Sequence, residues 1–145
     1  MKENKLYMWL AYSGALPFVF CAALMALGHH HVALAGELPT IINTNSLIII
    51  VFMSGIYWGL YFNGQIYQKI YLLIISNIIT ILSWLAFLFI SMPIVLLFYS
   101  VMFLILLIID YKLLEENVIT QNYFKTRMTV TAIVIASLLT GFSAI

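Results

Sequence analysis

Charge is what this sequence has least of. Only 8% of its 145 residues are Asp, Glu, Lys or Arg, against 65% apolar, and the mean hydropathy is +1.12. So few charges cannot cover a surface in water, which excludes a soluble globular domain and makes lipid the solvent. Six cations against five anions leave a net charge of +1 and no basic run long enough to follow a nucleic-acid backbone, so nucleic acid is not an expected partner. The single cysteine, Cys21, excludes an intramolecular disulfide, and its place inside an apolar run reads as a packed thiol. Also missing are an acidic pair, a nucleophile with its base, a phosphate-binding glycine loop and a haem-type histidine pair. The sequence therefore predicts neither an enzyme nor a cofactor.

What the chain has is long apolar runs. Leu6–Leu27, Ile41–Phe62 and Ile70–Ile90 are each long enough to cross a hydrocarbon core of about 30 Å as a helix. Pro93 lacks an amide proton and restricts Met92, so it separates a fourth run, Pro93–Ile109, from the third by a tight turn. A fifth, Met128–Ile145, closes the chain. The expectation is a single all-α domain over residues 1–145, an integral membrane bundle of five transmembrane helices.

Counted as five spans, the runs place Lys2, Lys5, Lys69, Lys112, Lys125 and Arg127 on one side, and the other side carries Glu37 as its only formal charge. Cationic short loops favour the cytoplasm, so the N-terminus is predicted to be cytoplasmic and the C-terminus external. This corresponds to a bacterial inner membrane, or to the mitochondrial inner membrane with the matrix in place of the cytoplasm. A cleaved leader ending near Ala33–Ala35 is the rival for the first run. At some 22 residues, however, that run exceeds the roughly 7 to 15 of a signal core, so it is read as a span. In the polar stretch Tyr111–Phe124, Tyr111, Leu114 and Val118 recur at helical spacing, predicting a short interfacial helix before the last span.

Candidate functional residues follow from polar or small side chains inside these runs. Gly55 and Gly59, four residues apart, stack on one helix face where a neighbouring backbone can approach, and Tyr57, Trp58 and Tyr61 belong near the headgroups. Ser76, Thr80 and Ser83 share a face of the third span and need hydrogen-bond partners. Asn77 beside them is read as a buried amide suited to a small polar ligand. Asp110 closes the fourth run and Arg127 opens the fifth at one depth. They either pair at the interface or snorkel separately to water. His29, His30 and His31 are consecutive, with Glu37 as the only carboxylate nearby, which is a poor ligand set, so no metal site is assigned.

Several stretches together resemble the membrane family known as domain of unknown function 3429, which includes the transmembrane protein 69 group of mitochondria and many bacterial proteins. They are Tyr12, Ser13, Gly14, Ala15, Leu16, Pro17 and Phe18; Phe52, Met53, Ser54, Gly55, Ile56, Tyr57, Trp58 and Gly59; Ser83 and Trp84; and Tyr123, Phe124, Lys125, Thr126 and Arg127. The chain departs from the family pattern at Tyr57, where a histidine is usual, and at Asn122, where an aromatic after a proline is common. The resemblance implies a five-span membrane protein without an assigned reaction. In the five-span topology its matching positions Tyr12, Ser13, Gly14, Gly55, Tyr57, Trp58, Gly59, Tyr123 and Arg127 fall in the cytoplasmic half.

The favoured reading is a non-enzymatic accessory or assembly protein. It would pack its small-residue and aromatic faces against a membrane-protein partner or a second copy, within the lipid bilayer. The alternative is a small-solute, lipid or quinone-binding module or carrier, with Ser76, Asn77, Thr80 and Trp58 lining a cavity in the cytoplasmic half.

Overall fold

In the computed structural model, which describes residues 5–66 and 68–145, each apolar run becomes one helix. These are α1 (Leu6–Ala26), α2 (Leu38–Phe62), α3 (Ile70–Phe89), α4 (Ile94–Glu115) and α5 (Gln121–Ala144). All five are long and apolar enough to cross a membrane. Helices satisfy their backbone groups within the segment, which hydrocarbon demands. Hydroxyls inside the spans follow the same logic. Ser46, Ser100 and Ser137 each donate to the carbonyl one turn earlier, at 2.6, 2.9 and 2.9 Å.

Three boundaries differ from expectation. Pro39 lies in the first turn of α2, where its missing amide costs nothing, so that helix begins at Leu38 rather than Ile41. The preceding loop holds a two-stranded antiparallel ribbon, β1 (His31–Val32) on β2 (Gly36–Glu37), an element the all-helical expectation lacks. Gly36 turns it at φ +92°. The interfacial helix expected over Tyr111–Phe124 does not form as a separate element. The periodicity of Tyr111 and Leu114 is the last turn of α4, which runs on to Glu115. Asn117, at φ 57°, then reverses the chain. Thr120 caps α5 by accepting from the Tyr123 amide at 3.2 Å, so the fifth helix starts seven residues before Met128.

Helix α1 packs chiefly on α5, α5 on α4, and α2 on α3, with α2 also touching α1 and α4. The ends are fixed by contacts between elements. A Tyr7–Tyr123 ring contact sets the start of α1 beside the start of α5, and a Lys69–Glu116 ion pair ties the α2–α3 turn to the α4–α5 turn. At the opposite end Gly141 of α5 lies against Leu96 of α4, Ile42 of α2 and Met25 of α1. Lys5, Lys69, Lys112, Lys125 and Arg127 thus all belong to one half of the bundle, while the ribbon and Glu37 mark the other. Lys2 lies outside the described residues. The core between these ends is aromatic and aliphatic, with Phe18 of α1 edge-on to Phe103 of α4 at 6.0 Å.

Candidate functional site

The cationic half contains a charged group away from water. Asp110 lies one turn inside the end of α4 and Arg127 nearly two turns inside the start of α5, where Ile109, Leu113 and Val130 are buried around them. Arg127 Nε donates to Asp110 Oδ2 at 2.9 Å, and each side chain is only 8% exposed. The ion pair therefore forms, and it is buried among the helices. The extra turns of α4 and α5 carry both residues inward. The Tyr57 hydroxyl reaches the second carboxylate oxygen at 3.3 Å and the Leu106 carbonyl at 3.4 Å, joining α2 to the pair. A charge pair removed from water needs such additional donors to offset its desolvation.

A second polar cluster closes the α2–α3 seam. Ser76 donates to the Ser54 carbonyl at 2.7 Å, and the Ser54 and Thr80 hydroxyls are 3.0 Å apart. Ser83 continues the buried stripe, with its hydroxyl unpartnered. Ser54, Ser76 and Thr80 thus bond across the seam, and none of the residues of the alternative reading, Ser76, Asn77, Thr80 and Trp58, lies on the wall of the cavity described below. Asn77 is exposed on the outer surface, not buried. One residue on from Ser76 the helix has turned by about 100°, which carries the amide out of the seam. Gly55 and Gly59 likewise face outward, where an added Cβ meets nothing within 4 Å, so the close helix packing expected there is not made among the described residues. Trp58 is partly exposed beside them and packs its ring on Phe62.

A cavity in this half lies among α1, α2, α4 and α5. It measures about 430 Å³, within the usual range for a small-molecule site. Its walls are apolar, including Ala11, Gly14, Phe18, Met53 and Phe103, and Arg127, Thr126 and Tyr123 form its polar end. Two wall residues, Tyr7 and Thr131, have buried hydroxyls without a hydrogen-bond partner. Leu10 of α1 and Phe52 of α2, 62% and 67% exposed, flank the opening, so the cavity faces the bilayer sideways between those helices. Gly14 on the wall has room for a side chain, since nothing approaches within 4 Å of its Cβ position.

Of the residues singled out from sequence, the structure brings Tyr57, Asp110 and Arg127 together and puts Gly14 and Arg127 on the cavity wall. Tyr12 lines a neighbouring depression, while the exposed Ser13 bonds only to the Leu10 carbonyl at 2.8 Å. Sequence reasoning missed Tyr7, Ala11 and Phe18. Their signal was nonetheless present, because Tyr7, Ala11, Gly14 and Phe18 recur at helical spacing on one face of α1, with two small residues between two aromatics. In the ribbon His31 pairs in register with Glu37, and among the described residues no three His, Cys, Asp or Glu converge.

A family profile described as protein of unknown function (DUF3429) matches residues 4–143. No curated protein and no solved structure matches the chain.

Proposed function

Since the chain belongs to this family, whose members have no assigned activity, we propose that it is a non-enzymatic membrane protein that binds the apolar tail of a bilayer-soluble amphipathic molecule. The observation that carries this reading is the lateral cavity, mostly apolar along its walls and charged only at the Arg127 end. A molecule entering from lipid keeps its tail in apolar surroundings and sets its head against the polar end, toward the cationic half of the bundle. In this reading the cationic end faces the cytoplasm or matrix, with the N-terminus inside and the C-terminus outside a bacterial or mitochondrial inner membrane.

Gly14→Phe is the direct test, because its side chain extends into the cavity from a position with room for it. Lipid extracted from protein purified in mild detergent is expected to fall several-fold in the variant, with folding retained. Equal lipid retention would sink the reading. The orientation is tested by labelling single cysteines introduced at Lys69 and at the C-terminus, the native Cys21 being buried. They are expected on opposite sides of the membrane.

A second reading, an accessory role through protein packing, is favoured by the outer face of α2 and α3. Gly55 and Gly59 leave a shallow surface there, and the exposed Asn77 amide sits where lipid offers it no hydrogen bond. Its test is disulfide crosslinking of an Asn77→Cys variant in native membranes, read for a dimer or a mixed species.

A further inference from the structure

Beside the lateral cavity, at the paired starts of α1 and α5, lies a depression of about 360 Å³. Lys5, Tyr12, Lys125 and Thr129 contribute to its lining, and Tyr7 and Thr126 belong to both it and the cavity. The two spaces therefore adjoin along the α1–α5 seam, one cationic and interfacial, the other apolar and deeper.

From this juxtaposition we infer that the site selects an anionic glycerophospholipid, with its phosphate held between Lys5 and Lys125 and an acyl chain in the cavity. The inference rests on the tail-binding reading above. Three observations carry it. First, the depression holds two cations and no carboxylate among its described lining residues; of the described carboxylates in this half, Asp110 pairs with Arg127, Glu116 pairs with Lys69, and Glu115 lines a separate depression at the α4–α5 turn. Second, α1 and α5 are adjacent and both begin here, so the positive ends of two helix dipoles add to the two side chains. Third, the Thr131 hydroxyl on the cavity wall is buried and unpartnered, and the Tyr7 hydroxyl, shared by both spaces, is also unpartnered. A lipid ester or phosphate oxygen supplies the acceptor that such hydroxyls lack. A zwitterionic headgroup fits less well, because its ammonium finds no carboxylate in the lining.

Each cation near an anionic lipid headgroup contributes roughly fivefold to affinity. The test is native mass spectrometry of the full chain titrated with phosphatidylglycerol and phosphatidylethanolamine of identical acyl chains, with inorganic phosphate as a third probe. With two cations at roughly fivefold each, the wild type is expected to bind phosphatidylglycerol about 25-fold more tightly. Lys5→Gln/Lys125→Gln, at two exposed positions, should abolish that preference while keeping phosphatidylethanolamine binding and the thermal midpoint. Equal affinity of the wild type for both lipids, or a preference that survives the double substitution, overturns the inference and leaves the tail-binding reading standing. Competition by inorganic phosphate overturns it in favour of a free anion. Binding of neither lipid overturns both readings. Phosphatidylglycerol selectivity that persists undiminished in Gly14→Phe refutes the cavity as the tail site.

Discussion

Helix α2 makes two seams of different character. Toward α3 it is closed by hydroxyls, with Ser54, Ser76 and Thr80 bonding across the interface over 2.7 to 3.0 Å. Toward α1 it is held apart, and the Phe52, Met53 and Ile49 side chains face Ala11 and Gly14 across a cavity. Short polar side chains allow close approach and supply specific bonds in a solvent that gives apolar surfaces no reason to associate. Small apolar residues between bulky aromatics do the reverse. Tyr7 and Phe18 pack on Tyr123 of α5 and Phe103 of α4, while Ala11 and Gly14 between them leave the space toward α2 unfilled. Along α2, Ser54 closes the seam with α3, whereas Phe52 opposite Gly14 of α1 borders an open one.

The strongest way to break this contrast is at the group that anchors α2 to α4 and α5 at the polar end of the cavity. Asp110→Ala leaves the Arg127 charge buried without its partner and is expected to cost about 3 to 5 kcal/mol, read as a large drop in thermal midpoint in a fixed detergent. The double variant Asp110→Leu/Arg127→Met should recover most of that loss, since replacing a buried pair by apolar groups of similar size is often neutral. If Asp110→Ala melts like the wild type, the buried pair is not the anchor described here. On the closed seam, Ser76→Ala removes the 2.7 Å bond to the Ser54 carbonyl and should cost about 1 kcal/mol in the same melts. Gly14→Phe on the open seam should leave the midpoint within about 0.5 kcal/mol of the wild type, or raise it, because it fills space and removes a helix glycine. A large destabilisation would mean that the seam between α1 and α2 is tighter than described. Smallest is Asn77→Leu, expected to shift the midpoint by less than about 0.5 kcal/mol because the amide is exposed on the outer surface. Its sharper readout is the elution of the protein on size exclusion, which changes only if the outer face packs on another chain.

The closed seam was legible in advance and the open one was not. Ser76, Thr80 and Ser83 announce themselves as polar residues at helical spacing in an apolar run, and such groups must face partners. The cavity is made of Ala, Gly, Met and Phe, residues that look the same whether they fill a core or line a gap. Asn77 was misplaced for a related reason. Adjacent residues on a helix diverge by about 100°, and which of Ser76 and Asn77 faced α2 depended on where the neighbouring helices stood. The same gap explains Gly55 and Gly59, whose spacing licensed close packing but could not say whether a helix of this chain occupied that face.

The sequence by itself determined five spans, their alternation, and the gathering of the described cations in one half. Each of those follows from local chemistry, since hydrocarbon length and the cost of charge in lipid act on every segment separately. Tertiary structure alone decided that Asp110 and Arg127 meet away from water, that α1 and α5 begin side by side, and that a cavity remains between α1 and α2. Those outcomes depend on residues far apart in the chain sharing one volume. Side-chain packing between helices settles them, and no run of residues carries that information alone.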